Sequence, residues 1–178
     1  MNKVSTTERI AELETSDGAS RESRARRTSY ILEALQLPED GIFFCGGEYS
    51  LQSFEEVRCA YIQGLYLSTV LLSLACIEWE VAGRLFASGW EKAKEARLSE
   101  LLSEAHERGM ISGGDLETFQ RLRKIRNAQA HFRPPGSSSS LLQRTEDENL
   151  LPNEILMMDA KRAVEALGTF LLGRSGFF

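Results

Sequence analysis

The chain has 178 residues, of which 42% are hydrophobic and 26% charged, with a formal net charge of −5. That is enough chain to bury one core without disulfide or metal staples. The acidic balance excludes a protein that coats nucleic acid by bulk electrostatics, so any RNA contact must be local.

Residues 1–27 are polar and charged and include Arg21, Arg24, Arg26 and Arg27. Ile10 and Leu13 could mark one short amphipathic helix, but the segment is expected to be loosely ordered until it meets the body or a partner. A helix is predicted from about Ser23 to Leu37, with Tyr30, Ile31, Leu35 and Leu37 apolar, ended by Pro38 and Gly41. The Gly46-Gly47 pair marks a turn, after which Ser50 or Ser53 caps a helix beginning at Phe54. Val57, Tyr61, Leu65 and the dense apolar run to Phe86 fit one long helix, or two joined near Gly64, ended by Gly89. A helix apolar almost all round belongs in the centre of a bundle or at a dimer interface.

Residues 91–108 carry Leu98, Leu101, Leu102 and Ala105 at helical spacing, closed by Gly109. Gly113-Gly114 then precede Asp115, a capping or first-turn residue for the next helix. Residues 133–152 form a polar connection of about twenty residues expected to be plain disorder, with a cover over a neighbouring site or a contact for a partner protein as the functional alternatives. A last helix runs from about Asn153 to Leu172. With no strand alternation and no internal repeat, the expectation is an all-α antiparallel bundle of about four to five helices. It occupies residues 28–178 behind the polar segment 1–27.

Several chemistries lack their signatures. Cys45, Cys59 and Cys76 are odd in number with no close pair, which suggests neither a disulfide framework nor a metal knuckle and points to a reducing, cytoplasmic setting. His106 reads as a surface residue near a helix end, and two histidines 25 residues apart cannot make a histidine-rich metal site. There is no glycine-rich phosphate loop, zinc-protease motif or nucleophile elbow, so neither metal nor cofactor is expected. The run Leu65 to Ile77 is too short, and too soon interrupted by Glu78, to span a bilayer, and the start lacks an apolar signal core.

The string Arg123 to Phe132, Arg-Lys-Ile-Arg-Asn-Ala-Gln-Ala-His-Phe, places Arg126, Asn127 and His131 within two helical turns. Cleaving RNA by attack of its own 2'-hydroxyl needs a group that moves protons near neutral pH, which an imidazole does. It also needs a fixed cation where charge builds on the non-bridging oxygens, and a guanidinium fits that fork. Asn127 can add a neutral hydrogen bond to substrate or histidine. On an ideal helix Arg126 and His131 lie about 140° apart while Asn127 and His131 share a face. One copy therefore holds half a site, and two copies facing each other complete it.

Arg126 projects between Phe119 and Leu122 on the apolar arc, where a charge needs a partner or a wet cleft. Glu78 or Glu80, which interrupt the most apolar helix, would orient it; the alternative is that both point outward. Arg123, Lys124 and Arg133 extend a local basic patch suited to RNA, together with Arg121; a solvated helix face is the plainer reading of such a run.

Arg126-Asn127-Ala-Gln-Ala-His131, late in a small helical domain, resembles the R-x4-6-H motif of the HEPN superfamily, over roughly Ser50 to Leu172. The resemblance implies a dimerising helical bundle that in many members cleaves RNA without metal, often as the toxin of a toxin–antitoxin pair or a phage-defence effector. Carried over, Arg126 stabilises the transition state, His131 acts as general acid or base, and Asn127 matches the polar residue that commonly follows the arginine. Other members are non-catalytic interaction or regulatory modules.

Overall fold

The computed structural model describes residues 5–36, 38–39, 41–134 and 136–173. Among these every regular element is helical: α1 Thr6–Ala34, α2 Gly47–Gln63, α3 Tyr66–Ala87, α4 Leu98–Glu107, α5 Gly113–Ala130, α6 Leu141–Glu148 and α7 Pro152–Leu171. The fold is all-α, with more helices than the four to five expected.

The hub is α3. Val70, Leu74, Ile77, Val81 and Leu85 line its inner face, fully buried, and it packs against α2, α4, α5 and α7. Its junction with α2 is the break anticipated at Gly64, whose φ of 77° caps α2 in the left-handed region that glycine adopts without penalty. Phe119 and Phe170 meet edge to face, with centroids 5.7 Å apart, and lock α5 onto α7.

Several expectations are corrected. The helix expected from Ser23 starts at Thr6, where Ser5 and Glu8 form a capping box, and runs unbroken to Ala34, so residues 6–27 are helical rather than loose. Leu37, the expected end, lies outside the described residues. Helix α2 starts at Gly47, and Ser50, read as a cap, is buried inside it. The helix expected over 91–108 is split into a 3-10 turn, Glu91–Lys94, and α4.

Asp115 takes its expected place in the first turn of α5, and the connection after α5 differs from its sequence reading. The cap of α5 is Ser112, whose hydroxyl accepts from the Asp115 backbone N–H at 3.1 Å while the Asp115 carboxylate returns to Ser112, so both glycines lie in the first turn. The connection 133–152 contains α6, capped by Ser140. No helix among the described residues is long and apolar enough to cross a membrane.

Candidate functional site on α5

Helix α5 carries the motif, and its end is set by proline. Pro134 has no N–H to donate to the Ala130 carbonyl and forces the preceding residue toward extended geometry. The helix stops at Ala130, and His131 is its C-cap, at φ −127° and ψ 146°. His131 is thus one residue past the helix instead of in its fraying last turn, and the 140° wheel angle to Arg126 does not apply. Its side chain is exposed, as is Phe132.

Arg126 stays on the helix. Its Nη2 lies 3.8 Å from Glu78 Oε2 on α3, with the two side chains 30% and 37% exposed. That distance is an ion pair without a hydrogen bond. The Arg126 Nε is buried and has no hydrogen-bond partner among the described residues, and the same holds for Arg123 Nε one turn earlier. Two guanidinium groups on adjacent turns therefore each keep an unmatched donor, a state normally avoided for buried polar atoms.

Of the two carboxylates weighed as partners for Arg126, only Glu78 adjoins it. Glu80 is fully buried and serves the chain entry into α2. It accepts from the backbone N–H of Gly46 at 2.8 Å and of Cys45 at 3.2 Å, and from the Ser50 hydroxyl at 2.7 Å. Arg84, one turn along α3, approaches it at 3.8 Å. Its burial is balanced by those donors rather than by the motif arginine.

The remaining motif residues divide. Arg133 turns back and donates from Nη2 to the Asn127 carbonyl at 3.2 Å, capping the helix end rather than standing free for RNA. Asn127 is half-buried and Lys124 exposed. Arg121 pairs with Glu117 at 3.6 Å on the solvent side. His106 Nδ1 lies 3.1 Å from the Ile111 carbonyl, at the turn between α4 and α5.

Gln129, given no role from the sequence, joins a buried cluster. Its Nε2 donates to Asp159 Oδ2 at 3.3 Å, and Asp159 also binds Arg144 of α6. The one signal available was an acid amid the apolar positions of the last helix. Beside this cluster a cavity of about 230 Å³ is lined by Leu67, Ala128, Gln129, Arg144 and others. Among the described residues no group of three or more His, Cys, Asp and Glu side chains converges as metal ligands would.

No family model, no curated protein and no solved structure matches this chain.

Proposed function

We propose that this chain is a metal-independent endoribonuclease of the HEPN type, acting as a homodimer in the cytoplasm as a toxin or phage-defence effector. The observation that carries the reading is Arg126 itself. It holds an unmatched buried Nε, pairs only loosely with Glu78, and sits on the helix whose end releases an exposed imidazole at His131. An ion pair at this distance and exposure contributes about 1 kcal/mol or less, so a phosphate can replace Glu78 at Arg126. The guanidinium would then stabilise charge on the phosphorane oxygens while His131 moves the proton. Arg123 and Lys124 would hold neighbouring phosphates, and a cognate antitoxin would cover this face.

Dimerisation has its own support. The outer face of α3 presents Leu67, Leu71, Trp79 and Phe86 to solvent, and Tyr49 of α2 stacks on Trp79 at 5.3 Å. Large apolar side chains exposed along one helix give a surface that a second copy would cover. A copy seated there would bring a second Arg126 toward the first, since Glu78 adjoins the stripe.

The second reading is a non-catalytic HEPN-like interaction module. It draws on the same Arg126 to Glu78 pair and on the position of His131 as a helix cap. Incubation with single-stranded RNA in EDTA separates the two readings, beside Arg126→Ala and His131→Ala. Cleavage to 2',3'-cyclic phosphate ends by wild type alone supports the nuclease. Three folded, dimeric and equally inert proteins reject it in favour of the module.

A further inference from the structure

Where α1, α2, α3 and α7 meet, the structure leaves an open pocket of about 350 Å³, its wall including Ser23, Arg27, Tyr30, Tyr61, Tyr66 and Lys161. Three phenols pack together there, with centroids 5.3 Å apart for Tyr30 and Tyr61 and 6.2 Å for Tyr61 and Tyr66. The Tyr30 hydroxyl donates to Glu165 Oε1 at 2.7 Å. The Tyr61 and Tyr66 rings are packed, at 1% and 8% exposed, while their hydroxyls make no hydrogen bond among the described residues and open on the pocket they line. Burial pushes the Tyr61 hydroxyl up to about 12, so it keeps its proton and remains a donor.

The charges around the pocket point the same way. Lys161 Nζ lies 5.3 Å from the Tyr30 ring centroid and makes no ion pair among the described residues. Arg27 spends its Nε on the Ile62 carbonyl at 2.7 Å, which leaves both terminal nitrogens available beside Gly64. Arg26, by contrast, is taken by Glu22 at 2.5 Å. No acid is among the lining residues, and the nearby Glu165 already accepts from the Tyr30 hydroxyl. Two cations without an ion pair among the described residues and two unused hydroxyl donors thus line one pocket in a chain of net charge −5.

A guanidinium fork, an ammonium and two hydroxyls approach from several elements, which suits a three-oxygen head better than a carboxylate. The volume lies at the lower end of the range for small-molecule sites. We propose that this junction binds a small phosphomonoester, of mononucleotide size or less, its phosphate held by Arg27, Lys161 and the hydroxyls of Tyr61 and Tyr66. Tyr66 and Glu78 are twelve residues apart on α3, about 18 Å along its axis, so the site is separate from the α5 motif.

Isothermal titration calorimetry at low salt tests it, with adenosine 5'-monophosphate, ribose 5-phosphate and adenosine as probes. Both phosphate esters should bind and adenosine should not. Lys161→Gln, Tyr61→Phe and Tyr66→Phe should each weaken binding about tenfold, the effect of losing one charge-assisted hydrogen bond. Neither Tyr→Phe change removes a hydrogen bond that the free protein makes, so both variants should melt with wild type. The proposal is overturned if no ester binds at millimolar concentration, if adenosine binds as tightly as its phosphate, or if the variants bind like wild type. RNA cleavage plays no part in any of these readings.

Discussion

Asp159 of α7, fully buried, receives two hydrogen bonds from the Arg144 guanidinium of α6, at 2.6 and 3.0 Å. Arg162 approaches the same carboxylate at 3.6 Å, and Gln129 of α5 donates to it at 3.3 Å. Helix α6 buries no residue of its own, so this clamp is its main attachment to the body. The same carboxylate holds Arg144 above its ordinary pKa, chiefly through their hydrogen bonds, and fixes the guanidinium charge.

Arg144→Leu should strand the Asp159 charge and lower stability by about 3 kcal/mol, as breaking one side of a buried pair does. Urea denaturation measures the loss. Removing both charges in Arg144→Leu/Asp159→Leu should recover a large part of it, while limited proteolysis between residues 137 and 150 accelerates in both variants. An unchanged cleavage rate in Arg144→Leu would show that α6 is held by something else.

Glu78 and Glu80 should separate in their effects. Glu80→Gln replaces a buried acceptor of three hydrogen bonds with a group that directs an N–H at one of those donors. A loss of about 2 kcal/mol in denaturant titration is expected, with no change in RNA affinity of the folded fraction. Glu78→Gln should leave stability within about 0.5 kcal/mol, because the pair is about a third exposed and its 3.8 Å separation makes no hydrogen bond. It should also tighten single-stranded RNA binding severalfold in a filter assay, since the phosphate no longer competes with a carboxylate at Arg126.

Gly168 of α7 lies under the end of α1, where an added Cβ would collide with the Ala34 carbonyl oxygen. That obstacle is backbone and cannot swing away. Gly168→Ala should cost about 1–3 kcal/mol despite the better helix propensity of alanine, and thermal melting should show the drop. A stabilised variant would mean that α1 can move off α7 at no cost.

Cys76 gives a signed pH prediction. Burial, partly offset by the Ser50 hydrogen bond, raises its thiol from the ordinary 9.0 to about 12. Below pH 9 the folded and unfolded chains both carry the proton, and stability is unaffected. Above it only the unfolded chain ionises, so stability falls by about 1.4 kcal/mol per pH unit for this group until the folded thiol titrates. Denaturation between pH 8 and 10 should show a shallower decline in Cys76→Ala than in wild type. In the native protein a thiol reagent should label exposed Cys59 and leave buried Cys76 intact.

The amino-acid pattern by itself determined the all-helical class, the stop at Gly89 and the start of the last helix near Pro152, and offered the break at Gly64 as one of two alternatives. These are local matters of 3.6-residue periodicity and of glycine and proline conformation, which neighbours in the chain decide. It misread residues 6–22, because an exposed polar helix leaves no apolar stripe to detect, and α6, because a helix that buries nothing looks like a loop. The motif on α5 was legible as a string, while its geometry was not.

Tertiary structure decided which carboxylate reaches Arg126. Glu78 and Glu80 are two residues apart, about 200° around α3, so one faces α5 while the other turns to the entry of α2. The same holds for Asp159 with Arg144 and for Lys161 with Tyr30, whose partners come from other helices and follow from how the bundle packs. Periodicity fixes the face on which a side chain stands; only the packed neighbour fixes what it meets.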